Sequence, residues 1–450
     1  FESADKLDDL AAIYEEIDLN AFRQNPYELT NLISNIARRE KTKNRSMALF
    51  KKAWQDLPDQ RSQLLSNLNS DVFWKMPEIY DYARQGIIPT ETSLRQTGNW
   101  AGFGNIQSWD ENGKMTTLLN RFLTIATQTK RLDELANEVE QARAKLKTWQ
   151  AGEPFLALIN LRRGRIDESR ATFEKLLPTM KGVQNVGYYT HWEIAQELAA
   201  HESCVELAIQ YLEMAVKEPE LMSGNEFPYT PAKPLVMLYK QRGRKDDARR
   251  LVLQAVNTKR ERNYGNHQYE AYQRVRNSIS LGNELRTLDY PVDAIRVFQD
   301  ALARTDDLTA AQQWGNNSKK ELQDGFQAAL KALKPEALPE LLMGSPDAAG
   351  KQPTSVDLVL LIDSRELDRT TMTSALVNLV RELVNKPDML TKTRQALSQA
   401  QTQRPDDVST LIIATELAIA TKDAENTRSL VTSLIAAIDR EPLEPQPAKG

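Results

Sequence analysis

The sequence predicts an all-α protein, an α-solenoid of stacked antiparallel helix hairpins. Three observations predict it. Apolar residues recur at i, i+3, i+4 and i+7 along most of the 450 residues, the spacing that gives a helix one buried face. Small residues recur where paired helices would cross. Clean apolar–polar alternation, which a half-buried strand needs, is scarce.

Helical periodicity is clearest over residues 7–17, 115–127, 232–241, 248–258 and 411–421. The best strand candidate, residues 357–362, reads equally well as a buried helical turn. Internal repetition then decides the architecture. In one unit Leu235, Val236 and Tyr239 lie on a first helix, Gly243 opens the turn, and Ala248, Val252 and Ala255 lie on a second. Small residues let two helices approach, and a larger apolar residue one turn past the first small one fills the gap.

The same template fits Phe122, Leu123, Ala126, Leu135, Val139 and Ala142, then Leu156, Ala157, Gly164, Ser169 and Phe173. It fits again at Trp192, Ala195, Ala199, Ala208, Leu212 and Ala215, and at Leu281, Gly282, Leu285, Ala294, Phe298 and Ala301. A looser fit joins Ile33, Ala37, Ser46, Phe50, Ala53 and Pro58 near one end. At the other end it joins Ala414, Ala418, Val431 and Leu434. Leu135 and Ser169 stand 34 residues apart; the later small positions Ser169, Ala208, Ala248 and Ala294 are spaced by 39, 40 and 46. The longer spacings imply grown loops or lengthened helices.

On these residues the chain resembles the tetratricopeptide-like superfamily, over residues 27–58, 116–305 and 405–437. Residues 71–89 and 131–165 are also similar to helical-repeat segments of large planctomycete proteins, a resemblance that implies no activity. The superfamily resemblance implies a concave groove that holds an extended or helical peptide.

Breaks in the pattern suggest five segments. Residues 1–114 form an N-terminal helical segment with a long Gly/Trp loop over 86–114, and 115–333 form the central solenoid. Residues 334–354 carry Pro335, Pro339, Pro346 and Pro353 with Gly344 and Gly350, which reads as a linker. Residues 355–440 form a C-terminal helical segment, and 441–450 a disordered tail. The first residue is Phe1, so the chain is read as one module of a longer protein whose compartment the sequence leaves open. No apolar run is long enough for a transmembrane helix.

With 58 basic and 62 acidic residues the chain carries a formal charge of −4, which does not suggest a dedicated nucleic-acid binder. Its single cysteine, Cys204, excludes an internal disulfide and is read as a small buried apolar residue. Paired carboxylates at Asp167–Glu168, Asp246–Asp247, Asp306–Asp307 and Asp406–Asp407 sit at expected helix starts, where they meet free backbone N–H groups and the positive end of the helix dipole. That placement, rather than acid–base catalysis, accounts for them.

Other catalytic signatures fail on their chemistry. Residues 108–115 look like a phosphate-binding loop, yet Ser108 replaces the first glycine and Met115 the metal-binding hydroxyl. Asn112–Gly113 is better read as a turn. Gly98, Gly102 and Gly104 do not have dinucleotide-loop spacing. Asp363 lacks the serines of a metal-dependent adhesion motif, since Arg365 and Leu367 occupy their places. His191 and His201 fall on different helix faces, His267 is remote, and no metal-ligand cluster forms. No cofactor motif is present.

Two surfaces remain as binding candidates. Between Lys240 and Arg276 there are 11 Lys/Arg against 4 Asp/Glu. Arg242, Arg244, Lys245, Arg249 and Arg250, with Lys259, Arg260 and Arg262 beyond, interleave with Tyr239, Tyr264, Tyr269 and Tyr272, as a polyanion surface would. Pairing with acidic neighbours is the plainer explanation. Trp100, Phe103 and Trp109 in the glycine loop could take a peptide or glycan, or fold back on helix ends. The leading expectation is a non-catalytic scaffold for a peptide or protein partner. The alternatives are nucleic-acid binding through the basic hairpin, and an α/α-toroid enzyme with Asp110 and Glu111 near its mouth.

Overall fold

The computed structural model describes residues 12–13, 16, 18–38, 42–68, 70–109, 114–180, 188–217, 230–257, 267–312, 317–337, 341, 377–403, 405–406 and 408–440. The strand candidate at 357–362, most of the proline-rich link, the tail 441–450 and Asp110, Glu111, Lys259, Arg260, Arg262 and Tyr264 lie outside them. The described chain is all-α apart from one two-stranded antiparallel pair, and its helices stack as antiparallel hairpins. No described helix is long and apolar enough to cross a membrane. The chain divides into two compact units, Phe1–Leu221 with Tyr229–Leu238, and Met222–Pro228 with Tyr239–Gly450. The division falls inside the 115–333 segment.

The first unit opens with α1 (Pro26–Ala37) packed on α2 (Lys43–Asp56), followed by α3 (Arg61–Asn67), α4 (Ile79–Ile87) and α5 (Glu91–Thr97). Strands β1 (Ile106–Trp109) and β2 (Met115–Thr117) pair next. Then come α6 (Leu118–Gln128), α7 (Leu132–Lys145), α8 (Gly152–Arg162), α9 (Ile166–Met180), α10 (Tyr188–Ala199) and α11 (Val205–Ala215). Consecutive helices pack from α7 to α9, α10 packs on α8 and α11, and α11 also meets α9. A run of ring contacts threads this core: Tyr80 to Phe122 at 5.2 Å, Phe122 to Phe155 at 6.4 Å, and Phe155 to Trp149 at 6.2 Å.

Helix α12 (Ala232–Gln241) spans the division. The second unit holds α13 (Lys245–Asn257), α14 (His267–Thr287), α15 (Pro291–Ala303), α16 (Thr305–Gln312), α17 (Ser318–Lys331), α18 (Pro387–Gln403), α19 (Val408–Ala420) and α20 (Ala424–Arg440). Its centre is Phe298 on α15, fully buried. A Cβ added to Gly282 on α14 or Gly325 on α17 would lie 2.6 Å from that ring, so both glycines exist as the floor and lid of one slot. Phe298 is thus the gap-filling residue that the repeat template places one turn after Ala294.

One turn recurs. Lys130, Gly164, Gly243, Asp289 and Lys422 all adopt positive φ, between 56° and 80°. The residue after each donates its N–H five residues back: Arg131 to Ala126 at 2.8 Å, Arg165 to Asn160 at 2.9 Å, Arg244 to Tyr239 at 2.8 Å, Tyr290 to Leu285 at 3.0 Å, and Asp423 to Ala418 at 2.9 Å. This left-handed cap satisfies the last helix carbonyls and reverses the chain. The small residues Ala126, Ser169, Ala208, Ala248 and Ala294 are all fully buried.

Three expectations change. The long loop over 86–114 contains a helix, because Thr90 and Ser93 cap the start of α5 reciprocally. The helix expected from residue 115 starts at Leu118, since Met115–Thr117 pair with β1 and Thr117 then caps Asn120. At the far end Val431 is exposed rather than core. The α19–α20 hairpin closes instead around Val408, Leu411 and Ala437, with Leu430 and Leu434 against them.

Candidate functional site

The basic hairpin comes first. Arg244 stacks on Tyr239, 4.4 Å from the ring centre, and its Nε donates to Asp247 at 2.7 Å. Arg250 also donates to Asp247. Arg249 lies over Tyr290 at 4.7 Å and donates to Asp293 at 2.6 Å. Asp293 is buried on α15, so its charge is matched by Arg249 rather than by water. The Tyr290 hydroxyl donates to Asp246; burial first, then that bond, pushes it up to about 12. Further along, Arg274 forks onto Asp307 at 2.6 and 3.0 Å, and Arg276 reaches Glu321. Lys245 is exposed and Arg242 half-buried. Among the described residues, the positive charge of Arg244, Arg249, Arg250, Arg274 and Arg276 is therefore met by carboxylates of the same unit. Asp167, Glu168, Asp246, Asp247, Asp306 and Asp307 all occupy first helical turns, as their sequence positions imply.

The glycine loop is built differently. Gly98, Gly102 and Gly104 turn the chain with positive φ. Trp100 is half-buried and its indole N–H donates to Gln150 at 3.1 Å; Phe103 is buried, edge-on to Trp100 at 6.2 Å. Trp149 donates to the Ala101 carbonyl at 3.2 Å, and Gln107 donates to the Leu65 carbonyl at 2.7 Å. Trp109 belongs to β1, and its side chain lies outside the described ones. Trp100 and Phe103 fold back on neighbouring elements instead of forming an open platform.

Beneath this loop lies a cluster that sequence reasoning missed. Glu193, fully buried on α10, accepts from the Gly104 N–H at 3.0 Å and from the Thr117 hydroxyl. Gln196 exchanges two bonds with the Met115 backbone, each 2.7 Å. Glu197 is gripped by Arg162 through two 2.7 Å bonds and accepts from Asn120 at 2.5 Å. Burial pushes the Glu193 carboxyl up to about 7, the two donors pulling the other way and Glu197 adding to the rise. The signal in sequence was two glutamates four apart between Trp192, Ile194, Ala195 and Leu198, polar residues placed on an otherwise buried helix. Of the other singled-out residues, His191 is buried 6.0 Å from the Tyr211 ring and Cys204 is buried. Among the described residues no three His, Cys, Asp or Glu gather as a metal site.

A third surface is apolar. On α20, Val431, Ile435 and Ile438 stand exposed at i, i+4 and i+7, Ile435 to 56%. Ile419 on α19 is exposed as well.

No family model matches the sequence, and neither does any curated protein. Fourteen solved chains match in structure. One is a circular tandem repeat protein with novel repeat topology and enhanced subunit contact surfaces. It is 12% identical, with 94% of this chain and 96% of that one covered, and the TM-score is 0.23. That score is too low to transfer topology or function.

Proposed function

We propose that the chain is a non-catalytic protein-interaction scaffold, a tetratricopeptide-like stack that takes a peptide or protein partner in a groove between its hairpins. The observation that supports this most is the apolar line Val431, Ile435 and Ile438 on α20. Its spacing suits the apolar face of an amphipathic partner helix, and exposed apolar stripes of this kind mark interaction surfaces. The hairpin core uses Leu430, Leu434 and Ala437, each one residue before a member of this line and so about 100° round the helix, which leaves the line outside the α19–α20 core.

Selection of a displayed peptide library on the immobilised chain tests the proposal. Enriched peptides should carry apolar residues at helical spacing, and Ile435→Glu with Ile438→Glu should abolish their binding while leaving helical content unchanged. Enrichment that survives both substitutions, or no enrichment at all, would count against it.

A further inference from the structure

The described residues 98–109 and 114–117 form two limbs that lie over the first unit, and one face of α10 holds both. Glu193, Gln196 and Glu197 are spaced to line that face. Gln196 binds Met115 through an amide that cannot titrate. Glu197 is already paired, with Arg162 forked onto it. Glu193 differs. Its partners, the Gly104 N–H and the Thr117 hydroxyl, are uncharged, and one comes from each limb. The limbs meet at a single buried carboxyl.

We propose that Glu193 is a proton-controlled latch: the two limbs are seated on α10 while its carboxyl is protonated and loosen when it ionises. On α10 itself there is Glu197, whose like charge disfavours ionisation. On α8 there is Arg162, already committed to Glu197. On α6 Asn120 is neutral, and the nearby Arg121 reaches Asp71 instead. On the limbs Lys114 is exposed, and on α11 the Tyr211 hydroxyl donates to the Phe173 carbonyl. None of these places a cation on Glu193.

The sign follows from burial. With the limbs seated, the carboxyl is raised from 4.5 to about 7. Lifting the limbs would wet it and return it to the ordinary range. Closure is then strongest below the lower value and weakens as pH rises to the upper one. Lifting would uncover Phe103, Met115 and Trp149, all now buried. The device thus links an acid-to-neutral change to the exposure of apolar surface.

Hydrogen exchange of the whole chain tests this, with intrinsic rates corrected for pH. Between pH 5 and 7.5 the protection of the Gly104 and Met115 amides should fall by roughly tens of fold. The amides of α8 should hold steady. Glu193→Gln, which still accepts from Gly104 and can bond Thr117, should remove the pH dependence. Were that variant to misfold, the side-chain carbon-13 signal of Glu193 in the native chain would serve, titrating above pH 6. Limb protection that is flat with pH, a fall shared equally by α8, a fall retained in Glu193→Gln, or a Glu193 signal titrating near 4.5 would each overturn the latch.

Discussion

Alanine at Gly325 is the sharpest perturbation available in the second unit. In a helix interior this change ordinarily stabilises by about 1 kcal/mol, because glycine costs backbone entropy. Here the new methyl would lie 2.6 Å from Cζ and 2.7 Å from Cε1 of Phe298, well inside contact distance. The ring is fully buried between α14, α15 and α17, with Gly282 against the same three ring atoms, so the ring edge is confined by both helices. Overpacking of that kind costs about 1–3 kcal/mol. The balance is a loss of roughly 1 kcal/mol instead of a gain. Phe298→Leu relieves the clash, so Gly325→Ala combined with Phe298→Leu should be more stable than the two single changes added, by about 1 kcal/mol or more. Urea unfolding followed by circular dichroism reads all four corners of the cycle. A Gly325→Ala chain more stable than the parent, or strict additivity with Phe298→Leu, would refute the slot.

Three further outcomes are expected. Lys130 and Lys422 hold left-handed turns without glycine's freedom, so Lys130→Gly or Lys422→Gly should stabilise by about 0.5–1 kcal/mol in thermal melts, whereas Gly164→Ala should destabilise. Arg162→Met leaves Glu197 buried with only the neutral Asn120 amide and no cation, and should cost about 2–3 kcal/mol after allowance for the exposed part of the arginine, most of it recovered by adding Glu197→Leu in the same denaturation assay. Unfolding free energy should decline by about 3 kcal/mol between pH 4.5 and 7 on account of Glu193, whose folded value lies above its unfolded one, and Glu193→Gln should flatten that part of the pH profile.

What could be read in sequence, and what could not, divides along physical lines. Periodicity placed α12 at 232–241 and a helix at 411–421, one residue past the end of α19, because each helix buries one face whatever its neighbours are. Gly164 and Gly243 announced their turns, since glycine tolerates positive φ. Lys130, Asp289 and Lys422 make the same turn with the same backbone bond, yet lysine gives no local sign of it. The β-pair was hidden because Met115–Thr117 is three residues long and runs directly into α6, whose apolar rhythm absorbs it. The Glu193 cluster was hidden by distance along the chain: its donors stand 89 and 76 residues away. The basic hairpin was visible as charge, while the carboxylate that binds Arg249 lies 44 residues further on. Local chemistry is legible one segment at a time; partners that arrive from other hairpins are not.

The stack depends on hairpins that bury their faces against one another, and the Phe298 slot is where three helices must meet for it to hold. Nuclear Overhauser spectra of the deuterated chain, protonated only at phenylalanine rings and glycine α-carbons, observe that meeting directly. Cross-peaks from the Phe298 ring to both Gly282 and Gly325 are predicted. A Phe298 ring that shows contact to neither glycine, in a chain that is otherwise folded and helical, would contradict the packing from which everything else was argued.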